Sequence, residues 1–226
     1  MISDGSTEPA PRESPPSLRE DGAPVNPFTA ADVAAILRER GWLNAADVTV
    51  ARVFGPEELA LQIPASEDAG GNNQDLEVWL EDAAAWLGSH AADGSTSLTA
   101  SRDALGELLS LIFLYDAETI LQRPESHVLL AREGAREVLR ELAHCVLDGP
   151  EVNSERFKEI VTALKEKLRY RSRELFQPIR LALAGRAGEG ELDRVILLLD
   201  RAVRLPFCAP VKGVRQRMLE FCAAVE

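Results

Sequence analysis

Between Glu155 and Arg173 the charges are spaced as a helix would sort them. At about 100° per residue, Lys158, Lys165 and Arg169 fall in one row beside the apolar line Phe157, Ile160, Val161, Leu164 and Leu168, while Glu155, Glu159 and Glu166 gather on the far side. Lys167, Arg171 and Arg173 add positive charge at the same end of the segment. Ammonium and guanidinium groups clustered in this way suit contact with the phosphates of a polyanion. The same pattern also describes a solvated flank whose alkyl stems cover apolar surface. Tyr170, inside the cluster, has the shape to stack on an unpaired base, although packing on the core is the commoner use of a tyrosine at a helix end.

Two further arginines extend the candidate phosphate-contact set, Arg180 and Arg186, with Arg201 and Arg204 as outlying additions. Arg180 is the only charge between Leu175 and Gly185, a stretch so apolar that its guanidinium is expected to be partly buried. A buried arginine needs an anionic partner, so a structural ion pair with Glu174 or a carboxylate of an earlier helix competes with an RNA contact there and is the favoured reading. Glu189 and Glu191 beside Gly188 and Gly190 resemble paired catalytic carboxylates, but acids at a helix start are accounted for by the helix dipole.

The net charge of −12 argues against a nucleic-acid partner until its distribution is considered. Residues 1–153 hold 10 Arg, no Lys and 27 acids, a net of −17, whereas residues 154–226 hold 15 Lys plus Arg against 10 acids, a net of +5. Such asymmetry points to a polyanion for the last third of the chain. Cys145, Cys208 and Cys222 are odd in number and widely separated, which predicts buried reduced thiols. His90, His127 and His144 lack metal-ligand spacing, and His144 and Cys145, as helix neighbours, point apart. No metal or other cofactor is expected. There is no P-loop and no GxGxxG. No apolar run approaches the roughly 18 residues of a bilayer span, and the N-terminus opens on acids and prolines, so a cytoplasmic protein without a membrane partner is expected.

The elements that must position these groups are helices. A chain of 226 residues with 46% hydrophobic content supports one main core and a smaller appendage. Residues 1–26, acidic and proline-rich, predict a disordered tail. Residues 27–97 predict a small, mostly helical subdomain: a helix capped at Thr29 and closed by Gly41, a short strand through Val48, Val50 and Val53, and a helix from about Leu76 to Gly88 after a Ser66–Asn73 breaker, then a linker from His90 to Thr96. Residues 98–226 predict the main helical domain. Its first helix is capped by Thr99 or Ser101 and runs through Tyr115, and Pro124 ends a short one after Asp116. A long helix capped by Ser126 reaches about Leu147, with Val128 and Ala131 on its inward stripe and Glu133–Arg136 and Glu137–Arg140 pairs outside. Helices follow from Asn153 or Ser154 to Tyr170, over 174–185 with Pro178 early and Gly185 as the stop, from about Leu192, and from Val211. Trp42, Trp79 and Trp86 are expected as core or interface anchors.

The run Leu175-Phe176-Gln177-Pro178-Ile179-Arg180-Leu181-Ala182-Leu183-Ala184-Gly185, preceded by Phe157-Lys158-Glu159-Ile160 and followed by Val195-Ile196-Leu197-Leu198-Leu199-Asp200, resembles the C-terminal anticodon-binding region of bacterial glutamyl-tRNA synthetases. Phe113-Leu114-Tyr115-Asp116 is similar to that family's aromatic pair before an Asp, and the likeness covers about residues 98–205. The departures are Ser172-Arg173-Glu174 for its basic Gly-Lys-type residues, Ala184 for its Thr, Glu189-Gly190 for its Gly-Pro, and Asp200 where its Leu-Leu-Gly ends. The resemblance implies an all-α helical bundle or cage that grips the anticodon arm of a tRNA, of the glutamate type, with Lys158, Lys165, Lys167, Arg169, Arg171, Arg173, Arg180 and Arg186 as the contact candidates. The family's His-x-Gly-type and Lys-x-Ser-Lys-type motifs are absent, and residues 1–97 are too few for a nucleotide-binding α/β domain. The expectation is therefore a stand-alone, non-catalytic tRNA- or RNA-binding protein, acting in trans with a separate synthetase catalytic chain as one piece of a split synthetase. The alternative is a helical protein–protein interaction module that has lost RNA.

Overall fold

The computed structural model describes residues 26–44, 69–92 and 97–225, the side chains of 69–72 excepted. The expected tail, up to residue 25, and the expected strand at 48–53 lie outside the described residues. Among the described residues there are ten α-helices and no strand, and no helix is long and apolar enough to cross a membrane. The all-α expectation is met.

Local chemistry sets the first boundary as expected. Thr29 Oγ1 accepts the Asp32 N–H while Asp32 accepts the Thr29 N–H, a capping box that opens α1 (Ala30–Glu39), and Gly41 in the left-handed region (φ 72°) turns the chain away after it. α2 (Ala69–Ala92) differs from expectation at both ends, starting inside the supposed breaker and running through Gly88 and His90. Gly88 is a packing glycine. A Cβ there would come within 2.5 Å of Asn26 Oδ1, and Asn26 Nδ2 donates to the Ala84 carbonyl at 2.8 Å, so the chain before α1 lies directly on the α2 backbone.

α3 (Leu98–Phe113) is capped by Ser97, whose hydroxyl accepts the Ala100 N–H, and not by Thr99 or Ser101; Ser101 is buried and donates back to the Ser97 carbonyl. Asp116 caps α4 (Ala117–Leu121), and Pro124 opens α5 (Pro124–Leu130) at the position where its missing N–H costs nothing. The long helix expected from Ser126 is broken at Ala131–Arg132, and α6 (Glu133–Leu147) begins anew. The cause is phase. Leu129 and Ala135, both buried, are six residues apart, about 240° round a continuous helix, so one straight rod could not bury both. Arg132 turns to extended backbone (ψ 135°) and resets the stripe, which leaves Val128 and Ala131 exposed.

α7 (Ser154–Leu168), α8 (Arg173–Ala184), α9 (Glu191–Ala202) and α10 (Val214–Val225) follow. Pro178 is the sixth residue of α8, beyond the first turn, and is buried. α1 packs on α2, α2 on α3 and α9, α6 on α7, α8 and α10, and α8 on α9 and α10, around one apolar core to which Trp79, Leu142, Ile179, Leu198 and Phe221 all belong. Trp79 Nε1 donates to the Leu198 carbonyl at 3.1 Å. Trp42 stacks on Phe113 (4.6 Å), and Phe207 stands edge-on to both Phe113 and Trp79, which joins α2 and α3 to the loop after α9. Trp86 is half-buried beneath Arg194. The cysteines are less buried than expected: Cys208 is exposed, Cys145 and Cys222 partly so. Among the described residues no group of His, Cys, Asp and Glu is arranged to hold a metal ion.

Candidate nucleic-acid interface

α7 forms because Asn153 caps it (Oδ1 accepts the Arg156 N–H at 2.8 Å) and because Phe157, Ile160, Val161 and Leu164 bury one face. That burial leaves Lys158 and Lys165 exposed. They stand two turns apart, about 10 Å along the axis. The helix ends one residue before Arg169, which takes left-handed backbone (φ 59°), and three residues later Ser172 again has positive φ (49°). Neither is a glycine, and each such residue costs on the order of 1–3 kcal/mol, which the surrounding structure must offset. The result is a sharp α7–α8 turn that exposes Arg169 and Arg171 on either side of Tyr170, which turns inward.

Tyr170 takes its core-packing role. Its ring lies against Gly134, where an added Cβ would be 2.7 Å from Cζ, and its hydroxyl donates to Glu137 Oε2 at 3.1 Å, an acceptor that raises the phenol's pKa. The aromatic ring beside the exposed cations is Phe176, half-buried, with Lys165 Nζ 5.3 Å and Arg180 Cζ 5.0 Å from its centroid. Lys165, Glu166, Arg171, Ser172 and Phe176 line one shallow cleft of about 620 Å³. Sequence reasoning missed Phe176 as part of this surface. Its signal was the i, i+4 spacing to Arg180 on one helix face.

The other candidates divide. Arg180 makes the structural ion pair favoured for it: it is 7% exposed, its Nε and Nη2 donate to Asp193 Oδ1 and Oδ2 at 2.7 Å each, and Nη1 donates to the Gly188 carbonyl at 2.8 Å. The partner is a later helix, α9, and not Glu174 or an earlier one. Lys167 turns to α6 and pairs with Glu141 at 2.5 Å, while Arg173 pairs with Glu189 at 3.2 Å on open surface, where such pairs are worth little. Arg186 is exposed beyond the opposite end of α8 from Arg171, and Arg201 and Arg204 are paired with Asp82 and Glu151. Among the described residues, Lys158, Arg169, Arg171 and Arg186 have no carboxylate within ion-pair distance.

Lys167's commitment can be measured. Its hydrogen bond lowers the Glu141 pKa below the ordinary carboxylate value. A depressed carboxylate contributes stability above its unfolded pKa and loses it as pH falls through the folded one. In a carbon-detected NMR titration, Glu141 should titrate low in the wild type and move upward in Lys167→Ala; an unchanged midpoint would mean that Lys167 is free for other contacts.

Residues 92–203 match the family model of the anticodon binding domain. The matched segment runs from the last residue of α2 to the residue after α9, so it holds the whole α7–α8 turn, while α1, nearly all of α2, and α10 lie outside it. No curated protein and no solved structure matches the chain. The matched segment thus contains every candidate cation from Lys158 to Arg186.

Proposed function

We propose that this chain binds tRNA through the exposed α7–α8 surface, with Lys158, Lys165, Arg169 and Arg171 on phosphates and no catalytic step of its own. The observation that carries the reading is a coincidence of place: a run of exposed cations without carboxylate partners among the described residues falls within the segment similar to anticodon-binding domains, in a chain whose net charge is −12. Phosphate contacts supply affinity and orientation; α7, anchored by its buried face, holds Lys158 and Lys165 on one side, and the turn after it carries Arg169 and Arg171. The Leu-Phe-x-Pro-x-Arg run of α8 supports a glutamate-type tRNA and action in trans beside a separate synthetase catalytic chain. In that reading Arg180 belongs to the scaffold and Lys167 to the α6–α7 contact.

The experiment is binding of the full chain to total tRNA and to an unrelated RNA at low and moderate salt. Affinity should fall steeply with salt, with a slope of roughly 0.7–0.9 per phosphate contact, and favour tRNA. Reversing Lys165 and Arg169 to Glu should weaken binding at least ~10-fold and flatten the slope by about two contacts. No binding at low salt, or binding indifferent to the double reversal, refutes the proposal.

A further inference from the structure

α6 presents two parallel rows at i, i+4, i+8: apolar Leu139, Ala143 and Leu147, and beside them Arg136, Arg140 and His144. The apolar row faces Phe221 and Val225 of α10, and the two helices enclose a groove of about 540 Å³ with the basic row along one edge and Asp148 at its end. Expected i, i+3 pairs would have neutralised this edge, but they do not form. Glu137 instead accepts the Tyr170 hydroxyl and Glu141 takes Lys167, both toward α7. Arg136 and Arg140 consequently have no carboxylate at ion-pair distance among the described residues; Arg140 and His144 act on Glu141 only through space. The groove is also half foreign to the anticodon-binding segment, because α10 lies beyond the match at residue 203.

We propose that the α6–α10 groove docks an acidic amphipathic helix of a partner protein, its apolar side on Ala143, Leu147 and Val225 above the buried Leu139 and Phe221 and its carboxylates on Arg136 and Arg140. The geometry fits that occupant. The rows span about 12 Å, two helical turns, so three apolar anchors at i, i+3/i+4 and i+7 fill the floor while an acidic flank meets the basic edge. An apolar floor alone would admit any greasy helix, and the unpaired arginines select the sign of its flank. The groove shares no lining residue with the cleft at the α7–α8 turn.

The test uses the full chain and two fluorescent peptides with leucines at helical spacing, one flanked by glutamates and the other by lysines. The glutamate peptide should bind and the lysine peptide should not. Arg136→Glu with Arg140→Glu, both exposed and thus compatible with folding, should weaken the glutamate peptide ~10-fold or more and admit the lysine peptide. Lys165→Glu should leave peptide binding unchanged. The proposal is overturned by failure of the glutamate peptide to bind at ~1 mM, or by equal binding of the two peptides. It is equally overturned if the arginine reversals lower tRNA affinity and not peptide affinity, which assigns this edge to RNA, or if they dissolve a dimer of the chain on a sizing column, which assigns the groove to a second copy.

Discussion

Arg217→Ala is expected to destabilise the protein by about 3–5 kcal/mol, the largest effect of any single substitution considered. The side chain is fully buried and, among the described residues, has no carboxylate within ion-pair distance. Its guanidinium donates to three carbonyls, from Nε to Lys212 at 2.8 Å, from Nη1 to Leu183 at 2.8 Å and from Nη2 to Ile112 at 2.6 Å. Ile112 and Leu183 lie in the last turns of α3 and α8, where carbonyls lack helical partners and the helix dipole is negative. Two helix ends therefore replace the missing anion. The Tyr115 ring, 4.5 Å from Cζ, covers one face, and its hydroxyl donates to the Ala182 carbonyl at 2.6 Å.

Burial acts on both groups. It pulls the Arg217 pKa down to about 10 and pushes Tyr115 above the usual tyrosine value, so at neutral pH the arginine remains charged and the phenol neutral. Truncation strands three carbonyls in apolar surroundings and opens a cavity, each loss costing on the order of 1 kcal/mol or more. Urea unfolding measures the effect. Arg217→Lys should fall between wild type and Ala, because lysine brings charge without the planar fork. A loss under about 1 kcal/mol for Arg217→Ala would show that the three carbonyls find other donors.

The Arg180–Asp193 pair carries the next largest expectation. Asp193→Ala leaves a guanidinium at 7% exposure without its anion and should cost about 2–4 kcal/mol, somewhat below a fully enclosed pair because the Asp193 side chain is 23% exposed. Arg180→Met combined with Asp193→Leu should be less damaging than Asp193→Ala alone, since replacing both charges removes the desolvation cost as well as the attraction. In every variant that remains folded, tRNA affinity should stay within about threefold of wild type, which is ~0.6 kcal/mol. A large affinity loss in a well-folded Arg180 variant would return that residue to the RNA surface.

The sequence by itself determined what depends on neighbours along one helix. Apolar spacing in α7, α8 and α9 marks the faces that are buried, because burial of a stripe at 3.6-residue period is a local requirement. Thr29, Asn153 and Gly185 act at the boundaries expected of them, since caps are satisfied within a few residues. The motif around Leu175–Gly185 indicated an anticodon-binding domain, the kind that residues 92–203 match.

Tertiary structure decided the rest, because it depends on what arrives from far along the chain. Gly88 reads as a stop until Asn26, 62 positions earlier, occupies the space of its Cβ. The α5–α6 break follows from two buried surfaces whose phases conflict, which no single stripe reveals. Lys167, Arg180 and Arg201 look like any other cations in the sequence, yet they donate to carboxylates 26, 13 and 119 positions away, and of the three only Arg180 is buried. Nothing along α10 marks Arg217 for burial, and it is buried because the ends of α3 and α8 converge on it and supply the negative potential that a buried cation requires.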